Sequence, residues 1–137
     1  MPTPYLFFNG RTAEALEFYK KALGAEVQMM MRFKDSPEPP PPGMKVNPDH
    51  VMHACVVVGG GPVMASDGCG GAAPEFKGFS LSYDAKDEAD AKRRFQALSE
   101  GGKVEMPLAE TFFAKSFGTV TDKFGVSWMV IAGAKNP

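Results

Sequence analysis

Cysteine, histidine and tryptophan are scarce in this chain of 137 residues, which holds two, two and one of them. Cys55 and Cys69 do not form a CxxC and no His/Cys cluster surrounds them, which excludes a disulfide framework and a zinc knuckle and fits a reducing cytoplasm. A strong charge of either sign is also missing. With 15 Lys and Arg against 16 Asp and Glu, and no basic run, nucleic acid is not an expected partner. The longest apolar stretch, around "ACVVVGGGPVMA", is too short and too Gly-rich to span a bilayer, and "MPTPYLFF" has no basic region ahead of its apolar residues. No membrane partner is expected. No Gly-rich turn with a following acidic residue succeeds a strand, so no nucleotide-type cofactor is expected either.

What remains suits one compact domain spanning 1–137, 44% hydrophobic and long enough to bury a core. "PYLFFNG" reads as a buried strand closed by an Asn-Gly turn. "RTAEALEFYKKALGAE" follows as an amphipathic helix, with Thr12 as its expected cap. Ala15, Leu16, Tyr19, Ala22 and Leu23 recur at helical spacing, and Gly24 supplies the left-handed end. "AEVQMMMRF" is a strand, and residues 34–49, with four consecutive prolines, form a long loop that is either a lid or an exposed spacer. "HVMHACVVVGG" and "GPVMASDG" are strands around a Gly-rich hairpin.

The second half repeats this order. "GFSLSYD" is a strand and "AKDEADAKRRFQALSEGG" a helix burying Ala91, Phe95 and Leu98. "KVEMPLAET", "FFAKSFGTVTD" and "GVSWMVIAG" are strands. Leu6 matches Leu81, Tyr19 matches Phe95, Val27 matches Val104 and Met29 matches Met106. The fold class is α+β: two βαβββ modules, about 1–70 and about 75–137, whose paired sheets form a curved, cup-like mixed β-sheet with flanking helices. Function is then expected on inward-facing strand residues.

His50 and His53 are three apart in a strand and so face opposite ways, poorly placed to share a metal. His53 is a hydrogen-bonded cavity or core residue, or a general base if a substrate comes within reach. Cys55, on the same side as His53, is a small buried hydrophobe or a minor thiol candidate. Ser66, Ser80 and Ser82 either converge on a ligand or cap strand ends, and Asp67 before Gly68 reads as a turn residue. Glu110, Thr111 and Lys115 flank an aromatic pair in a hairpin and either orient a polar substrate or solvate a surface. Phe7, Phe8, Phe112 and Trp128, with the methionines, offer apolar lining or are ordinary core packing. In "SFGTVTDKFGVSWMV", Asp122 to Gly125 make a turn, and the last strand places Trp128 and Val130 on one face, Met129 and Ile131 on the other.

"PYLFFNGRTAEALEFYKKALGAE", "MHACVVVGGGPVMASD" and "AETFFAKSFGTVTDKFGVSWMV" together resemble the PhnB-like branch of the vicinal oxygen chelate (glyoxalase/bleomycin resistance/dioxygenase) superfamily, over nearly the full chain. The resemblance implies paired βαβββ modules and homodimers. It does not imply a known reaction. Metal-dependent members carry His or Glu ligands on the first and last strand of each module. Those positions fall here at Pro4, at Met64 or Ala65, at Gly78 and at Met129, none of them an imidazole or carboxylate. The expectation is therefore a cytoplasmic, homodimeric binder of an unknown small organic molecule, with no metal. Its candidate ligand-binding residues are Phe8, His53, Ser66, Ser80, Ser82, Phe112, Lys115 and Trp128. The alternative is a metal-dependent lyase or isomerase, or a metal-free acid/base enzyme using His53 or Glu110.

Overall fold

The computed structural model describes residues 2–38, 43, 45–68 and 75–135. Cys69 and prolines 39–42 lie outside these. The chain divides into two compact units, Met1–Pro74 and Glu75–Pro137. Unit 1 contains β1 (Tyr5–Phe7), α1 (Thr12–Leu23), β2 (Glu26–Arg32), β3 (Val51–Val58) and β4 (Gly61–Ser66). Unit 2 contains β5 (Leu81–Asp84), α2 (Glu88–Ser99), β6 (Lys103–Ala109), β7 (Ala114–Thr121) and β8 (Ser127–Ala134). Each unit has one four-stranded mixed sheet, ordered β1-β4-β3-β2 and β5-β8-β7-β6, with a parallel β1–β4 or β5–β8 pair and antiparallel neighbours. The architecture is α+β with βαβββ order in both halves.

Period-two alternation decides which residues each sheet buries. In unit 1, Leu6, Ala65 and Ala54 stand in one cross-strand row and are almost fully buried. They share their face with Val56, and α1 contributes Ala15, Leu16, Tyr19, Ala22 and Leu23 to the same core. In unit 2, Trp128, Val130 and Ala132 of β8 alternate with half-buried Ser127, Met129 and Ile131. Gly118 lies on the helix side: a Cβ there would stand 2.8 Å from the ring of Phe95.

The matched pairs of the two halves also share an irregularity. β2 shifts register between Val27 and Met29, and β6 shifts between Val104 and Met106. Both are edge strands, and Pro107 is accommodated because an edge strand leaves one row of backbone groups unpaired.

Three local expectations need correction. Thr12 is the first residue of α1 rather than its cap; Arg11 occupies the cap position without a side-chain bond, and a distant carboxylate does the capping. The expected loop from residue 34 begins inside a short 3-10 turn, Phe33–Asp35, held by a Ser36 N–H to Phe33 carbonyl bond. β7 starts at Ala114, because the Thr111 hydroxyl accepts from the Phe113 and Ala114 amides and folds Phe112 and Phe113 into a bend.

Candidate functional site

The sheet face of unit 1 opposite the buried row carries the chemistry. Tyr5, Met64, Cys55 and Met29 form one cross-strand row on it, with Phe7 and Ser66 in the next. Tyr5 and Phe7 remain 37% and 50% exposed, although both are aromatic strand residues. Their rings stack, centroids 4.9 Å apart and planes 20° from parallel. Tyr5 also reaches across the face, placing its hydroxyl 2.9 Å from Nδ1 of His53, with ring centroids 5.7 Å apart. Burial pushes the Tyr5 phenol above its ordinary value, and a hydrogen bond with Ser66 works against that rise. The face thus presents a flat aromatic platform, an imidazole joined to a phenol, and thioethers.

The expected site residues separate on inspection. His53 and Ser66 belong to this face, Ser66 buried with its hydroxyl on the Val51 carbonyl at 3.3 Å and its oxygen accepting the Gly68 amide at 2.9 Å. Phe8 lies on the helix side, 3% exposed, its ring 6.4 Å from that of Tyr19. Trp128 is likewise inside the core of unit 2, where its indole N–H donates to Asp122 Oδ2 at 2.9 Å. Neither reaches the open face of its sheet. Met129 and Ile131 do, together with Ser82, which pairs with Met129.

Ser80 and Ser127 share a hydrogen bond of 2.7 Å in unit 2. Phe112 projects from its bend at 80% exposure. Lys115 lies over Gly133, which has no side chain to displace it. Glu110 is exposed and bonds Lys135 Nζ at 2.6 Å; the hydrogen bond and charge of Lys135 hold its carboxyl below the usual range. That makes it a poorer proton acceptor near neutrality.

Asp67 is a structural anchor rather than a site residue. Oδ1 accepts from the Gly10 amide at 2.7 Å, the Thr12 amide at 3.0 Å and the Thr12 hydroxyl at 2.6 Å, and Oδ2 from the Val51 amide at 2.7 Å. Burial alone raises its carboxyl; these bonds together outweigh it and hold the group below the usual range.

The positions at which metal-dependent relatives hold an ion can now be judged by their donors. Met64 faces Tyr5 across β1–β4, and Met129 faces Ser82 across β5–β8. Thioether, phenol and hydroxyl do not fit a borderline or hard divalent ion. Among the described residues, no group of three or more His, Cys, Asp and Glu is gathered that could hold one.

Tyr5 was missed as a site residue by the sequence reading, and Phe7 was read as apolar lining without being separated from Phe8. Their signal was the alternation in "YLFF", which puts Tyr5 and Phe7 on one side and Leu6 and Phe8 on the other. The run alone does not say which side the helix covers.

Among the described residues, eight strands and two helices in paired βαβββ order define an α+β fold. A glyoxylase/bleomycin resistance protein/dioxygenase domain from Frankia shares the fold at TM-score 0.61 and 15% identity, covering 100% of this chain and 93% of that one. The chain matches the 3-demethylubiquinone-9 3-methyltransferase family over residues 2–131 and belongs to that family. Protein YjdN of Escherichia coli is 37% identical over 98% of this chain and 97% of its own. The crystal structure of PA1353 from Pseudomonas aeruginosa superposes with TM-score 0.82 at 45% identity, covering 98% of both chains. The PhnB protein from Bacillus cereus does so with TM-score 0.79 at 28% identity, covering 96% of this chain and 98% of that one.

Proposed function

We propose that this protein, a single domain of two modules, binds a partly apolar small organic molecule without the divalent ion of its superfamily. The unit 1 face bearing Tyr5, Phe7 and His53 is the binding surface, and the protein works as a cytoplasmic homodimer. The observation that carries this reading is the exposed, stacked Tyr5–Phe7 pair joined to His53 on a sheet face its own helix does not cover. Exposed aromatic area next to a few polar groups is what a small-molecule site is made of. Proline, glycine and methionine or alanine at the superfamily's metal positions, none of them an imidazole or carboxylate, support a metal-free site. The resemblance to PhnB-like proteins supports the homodimer, and cysteine usage the cytoplasm. The methyl transfer in the family's description is not adopted, because the sequence carries no Gly-rich turn of the nucleotide-binding kind.

One observation favours a second reading. The Tyr5–His53 hydrogen bond could serve a metal-free acid/base enzyme, since an imidazole oriented by a phenol is a workable proton carrier.

Thermal unfolding of chelator-stripped protein tests the first reading. Flat aromatic compounds should raise the midpoint in proportion to log concentration, while Mn²⁺, Ni²⁺ and Zn²⁺ at equal ionic strength leave it unmoved. A saturable rise with one metal ion and none with any organic compound contradicts it.

A further inference from the structure

The preceding reading leaves open which group fixes the ligand and what the ligand must offer; the inference below rests on that reading. The bond between Tyr5 and His53 ties the tautomer of the imidazole to the direction of the phenol proton. Ser66 spends its proton on the Val51 carbonyl. The Tyr5 phenol, pushed above its ordinary value, keeps its own proton at neutral pH. Two acceptors then face the phenol proton, Ser66 Oγ and, 2.9 Å away, Nδ1 of His53, and its donation to Nδ1 is the first step of the inference. A neutral imidazole accepting at Nδ1 carries its hydrogen on Nε2. Among the described residues Nε2 has no hydrogen-bond partner, and it is not among the buried polar atoms left without one. It is an accessible donor. The same sheet face carries the half-exposed ring of Phe7, stacked on Tyr5, and Met64, which pairs with Tyr5.

We propose that His53 is the polar anchor of the site, donating from Nε2–H to an oxygen acceptor on a flat, conjugated ring that lies against Phe7. The ligand class is an aromatic carboxylate, phenolate or ring-conjugated carbonyl compound. A flat ring matches the aromatic face and the thioether together, since sulfur and π surfaces both favour polarisable planar partners. An oxygen acceptor satisfies Nε2–H, which has no partner among the described residues. Tyr5 is a positioning residue: it sets the tautomer and does not meet the acceptor.

The probes are 2-naphthoate, which has both features, indole, which has the ring without the oxygen, and cyclohexanecarboxylate, which has the oxygen without the flat ring. Imidazole ¹H–¹⁵N spectra of the native protein should show His53 as the Nε2–H tautomer, and a Nδ1–H tautomer overturns the inference. Binding of 2-naphthoate should weaken about tenfold in His53→Ala, as for loss of one charge-assisted hydrogen bond. His53→Gln, which keeps a donor, should retain part of the affinity, and His50→Ala all of it. Tyr5→Phe keeps the stacked ring and should shift His53 toward a mixture of tautomers. If 2-naphthoate and indole bind the Tyr5–Phe7 face equally well, or His53→Ala binds as the native protein does, the anchor is wrong and the binding face stands. If no probe perturbs Tyr5, Phe7 or His53, the face itself is not the site and both readings fall.

Discussion

The carboxylate of Asp67 at the end of β4 accepts both the amide and the hydroxyl of Thr12 at the start of α1, at 3.0 and 2.6 Å. The bond joins residues 55 apart in sequence, and it caps a helix whose own preceding residue, Arg11, makes no side-chain cap. The same carboxylate takes the first amide of β3, so helix, strand and strand end meet on one charge. Asp67→Asn exchanges that charge for an amide whose NH₂ cannot accept, and should cost about 2–4 kcal/mol, measured by urea unfolding.

A pH dependence follows from the same group. Its folded pKa is lowered, so in the acid window the unfolded chain binds the proton more readily. The stabilisation is full above the unfolded value, about 3.9, and is lost as pH falls through the lower folded value. Stability of the native protein should therefore rise between strong acid and about pH 5, and Asp67→Asn should flatten that slope. An unchanged slope would mean other carboxylates dominate.

Asp122 plays a comparable part in unit 2 with local partners. Its Oδ1 accepts the Phe124 and Val126 amides at 2.9 and 3.1 Å, closing the turn, while Oδ2 takes the Trp128 indole. Trp128→Phe removes that donor from a buried carboxylate and leaves a gap, with an expected cost of about 2–4 kcal/mol. Affinity for 2-naphthoate should stay as it was, because Trp128 faces the core of unit 2.

Gly118 marks where α2 closes on β7. A Cβ there would stand 2.8 Å from the Phe95 ring and 3.0 Å from backbone atoms of Met106 and Leu108. Gly118→Ala should destabilise by about 1–3 kcal/mol, as overpacking does, and Phe95→Leu in the same chain should recover part of it.

Phe7 and Phe8 are neighbours in sequence with opposite duties. Phe8→Ala should cost about 3–5 kcal/mol of stability. Phe7→Ala should change stability by about 0.5 kcal/mol or less, as a surface substitution does, and weaken 2-naphthoate binding. Paired denaturation and titration curves separate the two effects.

Much of the fold was legible because its signals are local. Gly24 stands at φ 65° where the helix was expected to end, and Ala15, Leu16, Tyr19, Ala22 and Leu23 are all buried. The alternation in β8 gave both of its faces correctly. The helix cap was not legible, since Asp67 looks like a turn residue beside Gly68 and its partners lie far off in sequence. For the same reason Phe7 and Phe8 were both read as lining and only Phe8 was carried into the candidate site: alternation separates two faces, but only the packed helix says which one is left open. His53 was visible as one of two histidines, whereas its bond to Tyr5 needed the register of three strands.

The most direct test of the account is a methyl spectrum of methionine-labelled, chelator-stripped protein titrated with 2-naphthoate. Met64 and Met29 share the cross-strand row of Tyr5 and Cys55, while Met106 and Met129 belong to unit 2. The account predicts saturable shifts at Met64 and Met29, without added metal, and little change at Met106 and Met129. Shifts confined to unit 2, or appearing only once a divalent ion is added, would contradict it.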